Sequence, residues 1–415
     1  MTLDTINPER APRLGVALRF FATGIAYLAA MLVLAAVKAP ILAFDYLHNA
    51  ATLGVTHLFV LGFAGSVAMG ALYQLIPVLL HATLRSEPAA NLHLGVHASG
   101  VLAMVAGFLQ FNLPWIIAGG SLITGGACLF FWNMASTGMR AERRNWHGAF
   151  VGVALLYFAG TLTWGLIMAF NMGHGFLGEN AGATLGTHLA LGLLGWYSLL
   201  IVSVGLKLVP MFAPARFLPP RAVAAVSGTL AVGVAVTIAG LWLSGPLVAG
   251  GLLLTAAALL AFAGTAGYTY LHRRTGPLDF SVRFAVIAFP FASRDWQAGL
   301  VVLFALAWVG GTILGMLQRI VPFMVWLHRF RNRTHKQERI PFLHETYQPR
   351  LAWIAYLAWF PGALLLSAGI AVHMQMLIAA GSVIALAGLG GFVLAQRQVL
   401  HHVPPGTAPL FPGRK

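Results

Sequence analysis

TLGVTHLFVLGFAGSVAMGALYQLIPVLL, residues 52–80, carries no charged side chain. A helix needs about 20 mainly apolar residues to cross the hydrocarbon core of a bilayer, and this run exceeds that length. It is one of many. Comparable runs lie near 16–38, 92–112, 114–136, 147–170, 184–213, 221–243, 246–271, 298–327, 351–372 and 374–396, giving eleven spans. A twelfth candidate, DFSVRFAVIAFPFASR over 279–294, is short and interrupted by Arg283 and Pro290.

Composition agrees. The 415 residues are 59% apolar and 8% charged, with a mean hydropathy of +0.81, whereas soluble domains carry about 25% charged residues. A water-soluble fold is excluded. The formal charge of +15 does not make a nucleic-acid face, because the bases are dispersed between apolar runs of spanning length. Cys128 is the single cysteine, which excludes disulfides and cysteine-based zinc or iron–sulfur sites. The polar first twelve residues show no cleavable signal pattern. The expectation is an all-α, multi-pass membrane bundle forming one membrane domain over 1–415, in contact with lipid and not with nucleic acid.

Charge placement orients it. Arg10 and Arg13 precede the first span and Arg19 sits at its start, and Arg85, then Arg140, Arg143 and Arg144, then Arg216 and Arg221, then Arg273 and Arg274 fall in every second loop. The loop 328–350 is the most basic. Short Lys/Arg-rich loops stay cytoplasmic, and all of these share one side only if 279–294 crosses. The reading is therefore about twelve helices in a bacterial-type cytoplasmic (inner) membrane, with both termini in the cytoplasm.

The second, sixth and tenth helices of that count end alike, as GALYQLIPVL (70–79), VGLKLVPMF (204–212) and GMLQRIVPFM (315–324). Each has a proline, Pro77, Pro210 or Pro322, and a long polar residue three positions earlier, Gln74, Lys207 or Arg319. The second and sixth also begin alike, THLFVLGFAG (56–65) and THLALGLLGW (187–196). A match at every fourth helix implies three pseudo-threefold four-helix units, near 1–138, 139–275 and 276–415.

All ten carboxylates fall in loops or at helix ends, whereas ion-coupled carriers and proton pumps usually hold an acid inside the bundle. Histidine is the abundant polar residue, with fifteen copies. His57 and His188 share the THL context, about one turn inside the outer ends of their helices. An imidazole there is costly unless it pairs, faces a cavity or ligates a metal. Neutral imidazole suits haem iron and copper, while an interhelical hydrogen bond would need no cofactor; both readings stand at this point.

His93 and His97 have the i, i+4 spacing that lets two imidazoles meet one metal ion. Helix counting puts them across the membrane from His57, where interfacial solvation, shared with His147, is the expectation. Met172 and His174, and His373, Met374 and Met376, form two outer-loop clusters of the soft character that suits copper. Gln74, Lys207 and Arg319 should ring the cytoplasmic ends of their helices. Lys207 and Arg319 there could hold a cofactor anion such as a propionate or a quinone oxygen, or snorkel to the interface. His272, His328, His335, His344, His401 and His402 read as solvated, and Trp196, Tyr197 and Trp308 as helix packing. No catalytic residue can be named.

Twelve helices in three arcs, with histidines on the second and sixth, resemble the catalytic subunit of haem–copper oxidases and nitric oxide reductases. Residues 57–85, 186–212 and 315–330 resemble, more closely, the NnrS-type group, haem- and copper-containing membrane proteins tied to nitric oxide metabolism. The resemblance implies a haem of b type and copper, with His57 matching a low-spin haem ligand and His188 a copper ligand. It also implies a role in nitric oxide response or respiratory-enzyme maturation, beside a respiratory or denitrification complex. If such a protein turned over a substrate, it would be an oxidoreductase acting on a small diatomic gas such as nitric oxide. The chain departs from the pattern where 221–243 lacks the expected histidine pair and 298–327 lacks two haem ligands, so the oxygen-reducing binuclear centre cannot form as in the oxidases. Two alternatives from other classes remain: a cofactor-free transporter or scaffold, and a copper or haem handling protein with the Met/His loops as its entrance.

Overall fold

Polar caps punctuate the apolar runs. Asn49, Ser86, Asn112 and Asn145 each stand just before a helix, and each side chain accepts the backbone N–H of the third residue on, at 2.8, 3.2, 3.2 and 2.9 Å. This supplies a partner to a donor that a helix start otherwise leaves bare. Pro88, Pro114, Pro220 and Pro246 occupy first-turn positions, where a missing N–H costs nothing. Gly175 closes the fifth span in the left-handed conformation, at φ 64°.

The computed structural model describes residues 12–44, 49–212, 215, 217–272, 296–330 and 349–401. It shows a multi-pass integral membrane protein with eleven helices long and apolar enough to span: α1 (Leu14–Val37), α2 (Ala50–Leu79), α3 (Glu87–Leu109), α4 (Leu113–Met139), α5 (Trp146–His174), α6 (Gly178–Phe212), α7 (Pro220–Leu243), α8 (Gly245–Thr269), α9 (Ala298–Trp326), α10 (Leu351–Ala371) and α11 (Gln375–Arg397). No strand occurs among the described residues. The proposed crossing at 279–294 and the basic stretch 331–348 lie outside the described residues. The described acids Glu87, Glu142 and Glu179 sit in a first turn, a bend and a short 3₁₀ turn. Leu102, Leu156, Leu253, Leu260 and Leu357 are exposed on the outer helix faces, an apolar surface suited to lipid.

Three helix hairpins close on glycine in the same way. In α3–α4 a methyl group on Gly119 would lie 2.4 Å from Met104 N; in α7–α8 one on Gly251 would lie 2.3 Å from Thr237 N; in α10–α11 one on Gly381 would lie 2.3 Å from Leu366 N. The obstacle is backbone each time, so only a residue without Cβ lets the helices approach this closely, as small residues do in membrane bundles. Gly100, Gly233 and Gly362 face them from the partner helices.

α1 and α5 also repeat a contact. The Tyr27 hydroxyl donates to Ala98 O on α3 at 2.8 Å, and that of Tyr157 donates to Ala231 O on α7 at 2.7 Å. Their rings lie on Gly62 and Gly195, where an added methyl would sit 2.8 and 2.6 Å from the ring Cγ.

α2, α6 and α9 form the centre. Each passes from α into π geometry, over Leu58–Gly65, Ala190–Ser198 and Phe304–Gly310, then returns to α and carries its proline, Pro77, Pro210 or Pro322. The three wide segments touch one another. The Tyr197 hydroxyl donates to Val60 O, Trp308 Nε1 donates to Ser198 Oγ at 3.1 Å, and Gly310 lies where a methyl would come within 3.1 Å of Phe59. π segments inside membrane helices are uncommon and concentrate at functional sites.

Candidate functional site

The π segments of α2 and α6 begin just after His57 and His188, and both imidazoles reach one cavity of about 430 Å³. His57 Nδ1 lies 2.7 Å from Leu53 O, and its ring packs 5.1 Å from that of Phe108. His188 Nδ1 lies 3.1 Å from Thr161 O on α5. Gly165 makes room for the second ring, since a methyl there would stand 3.1 Å from His188 Cε1.

A carbonyl oxygen only accepts. Each Nδ1 therefore carries the proton, and each neutral ring keeps its lone pair on Nε2. Neither Nε2 has a hydrogen-bond partner among the described residues. This is the tautomer of a metal-ligating histidine held by its other nitrogen.

The rest of the wall is apolar or weakly polar. Trp196 and Tyr197 of α6 line it, so they are cavity wall as well as packing, which corrects the sequence expectation for these two. Trp196 stacks on Phe158 at 4.6 Å and 15°. Trp308 lies against the edge of Phe262 and takes no part in the cavity. α9 contributes Val301, Val302, Ala305 and Leu306, so the third π-bearing helix brings aliphatic surface where α2 and α6 bring imidazole. Among the described residues no group of three or more His, Cys, Asp or Glu side chains stands ready to hold a metal. Met31, Met104, Met168 and Met172 are also among the lining residues. The donors present suit axial ligation of a haem iron by imidazole, or a soft two-nitrogen ion that a thioether completes.

His93 and His97 are elsewhere, and the expectation of interfacial solvation is wrong for them. They are 0% and 1% exposed. His93 Nδ1 is 3.0 Å from the Tyr73 hydroxyl, its ring stacks on Phe130 at 5.4 Å, and Phe20 tilts against it at 5.3 Å. His97 Nε2 is 3.0 Å from Leu61 O. Helix counting placed this pair far from His57, yet Leu61 is only one turn beyond His57. Neither ring lines the cavity. His147 is half-buried and ties α5 to α6 through Ser203 O at 2.8 Å.

The expected polar ring at the basic end takes another form. The neighbours Leu75, Leu208 and Ile320 meet between α2, α6 and α9, beside a second cavity of about 90 Å³. Lys207 Nζ instead stands 4.4 Å over the Phe217 ring, while Gln74 and Arg319 are half-buried. Of the two outer clusters, Met172 borders the large cavity but is itself exposed, as are His174, Met374 and Met376. His373 Nδ1 lies 2.8 Å from Ala43 O. His272 is exposed as expected; His335, His344 and His402 lie outside the described residues.

Met104, Met168, Thr161 and Gly165 escaped sequence reasoning. They lie on helices without a recurrent motif, and only the depth of His57 and His188 could have pointed to them.

Comparison with protein-family models and with curated proteins finds no match for this chain.

Proposed function

We propose that this chain is a haem- or copper-binding membrane protein of the oxidase-like, NnrS-type kind. On this reading it is three four-helix units around a shared axis, set in a bacterial inner membrane with both termini cytoplasmic. It serves nitric oxide response or respiratory-enzyme maturation, beside a respiratory or denitrification complex. One observation carries the reading: two imidazoles from corresponding helices, each with Nδ1 tied to a carbonyl and Nε2 without a hydrogen-bond partner among the described residues, line one largely apolar cavity. The recurring glycine hairpins, tyrosine contacts and π segments support the repeat.

His57 and His188 would hold the group. A bound iron or copper would supply an exchangeable coordination position for a small diatomic molecule. Leu53 and Thr161 fix the imidazole tautomers. The aliphatic side chains from α9 keep water away from the centre, and the missing third histidine leaves that face without a protein ligand. Lys207 and Arg319 remain the nearest candidates for a cofactor anion at the basic end, although the pairing of Lys207 with Phe217 supports a structural role equally well.

The test is an oxidised-minus-reduced visible spectrum of the detergent-purified protein, with iron and copper counted per chain. About one iron with sharp reduced bands, or about one copper, is expected, lost in both His57→Ala and His188→Ala and kept in His272→Ala. A colourless, metal-free, folded preparation would favour the cofactor-free transporter or scaffold, a reading to which the aliphatic third wall gives weight. Copper that is substoichiometric and falls when Met374 and Met376 are replaced would favour a handling protein, for which their exposure speaks.

A further inference from the structure

The two cavities share one residue. Tyr197 is in the wall of the large histidine-bearing space and also of the smaller one between α2, α6 and α9. The side chain is 4% exposed, and its hydroxyl donates to Val60 O in the neighbouring π segment. Gly65 keeps that approach open: a methyl there would lie 3.1 Å from Val60 O and 3.5 Å from the Tyr197 hydroxyl oxygen.

Beyond Tyr197 the smaller space follows one face of each central helix, past Ala71, Gly205 and Met316, toward Leu75, Leu208 and Ile320 near the prolines. No Asp, Glu, Lys, Arg or His lines it. Its single hydroxyl not yet engaged is that of Thr312, buried and without a partner among the described residues. Apolar internal spaces stay dry and accept small apolar guests. An ion or hydrated solute would find nothing to replace its water.

We propose that the axis between α2, α6 and α9 is a path and holding site for a small uncharged apolar molecule, with Tyr197, pinned to Val60 O, closing it from the histidine cavity. The inference does not need a metal at His57 and His188. The chemistry of the walls sets the solute class: apolar in body, with room for at most one weak hydrogen-bond acceptor at Thr312. The π segments give the helices the local width that lets Tyr197 swing without unfolding them. Removing its bond or its ring shifts the closed–open balance toward open.

Thiol accessibility tests this. Cys128 is exposed and is replaced by serine; Ala71→Cys then reports on the axial space and Thr124→Cys on the large cavity. The probes are methyl methanethiosulfonate, small and neutral, and its charged sulfonatoethyl analogue, with intact mass as the readout. Ala71→Cys should react slowly with the neutral reagent, and Tyr197→Ala should speed it by about tenfold or more, while Thr124→Cys reacts alike in both backgrounds. Tyr197→Phe keeps the bulk and should give about threefold, the factor of one hydrogen bond inside a membrane protein. The charged reagent should leave Ala71→Cys untouched throughout. Equal rates with and without the Tyr197 substitutions, or equal reaction with both reagents, would overturn the proposal. Replacing His57 and His188 should leave the ratio of rates unchanged, so failure here is separate from failure of the metal reading.

Discussion

Two pairs of histidines around α2 have opposite fates. His57 and His188 come from helices far apart in sequence, sit half-buried, line an open space, and keep a ring nitrogen without a partner among the described residues. His93 and His97 come from one helix at metal-ligand spacing, yet are sealed among Phe20, Tyr73 and Phe130, with His93 Nε2 and His97 Nδ1 buried and unpaired among the described residues. Spacing alone ranks the second pair first. Access reverses the order, because a ligand needs room as well as lone pairs, and only the first pair has both. The sealed pair ties α3 to α2 through Leu61 O and Tyr73.

Substitutions can break this contrast. His93→Ala and His97→Ala should each leave the iron or copper count of the purified protein intact while lowering stability by about 3 kcal/mol, as for truncation of a large buried ring. A thermal melt in detergent beside a metal assay reads both. Loss of metal with unchanged melting would make the sealed pair the ligands after all. Gly381→Ala, far from either pair, should cost about 1–3 kcal/mol by forcing α10 and α11 apart, again with the metal count unchanged; a wild-type melt would mean that the close glycine crossing is not required. Smallest is Tyr157→Phe, about 0.6 kcal/mol for a lost interhelical hydrogen bond. A double-mutant cycle with His188→Ala tests whether α5 holds the ligand helix in place. A coupling near zero would confine Tyr157 to packing.

Hydropathy made the eleven spans legible, since a bilayer admits few alternatives for long apolar runs. The glycine crossings were less visible, because glycine abounds in this chain and only the approach of a second backbone singles out Gly119, Gly251 and Gly381. What could not be read was π geometry, which depends on packing across three helices. Its omission hid a mismatch in the shared THL motif. The depth of His97 was misplaced for another reason: α3 starts at Glu87 rather than near residue 92, so His97 lies ten residues in, about 15 Å along the helix. In the THL helices the mismatch is one of register. Gly62 and Gly195 pack on matching tyrosines, and Pro77 and Pro210 each follow fifteen residues later, since 77 − 62 and 210 − 195 agree. His57 precedes its glycine by five residues (62 − 57) and His188 by seven (195 − 188). The two histidines share a motif but not a strict register, and both still reach the same cavity.

That difference bears on how the chain tolerates change in length. In an ordinary membrane helix, deleting one residue turns everything beyond it by about 100° and shifts it by about 1.5 Å, so length changes are confined to loops. A wide turn can absorb a residue gained or lost and leave the far half of the helix facing its old neighbours. The segments after His57 and His188 thus act as slack within otherwise rigid rods. The ligand end and the proline end of each central helix can drift in sequence distance without parting company in space. A one-residue deletion at Ala64 should be survivable, whereas the same deletion at Gly70, wedged against Phe20, should not.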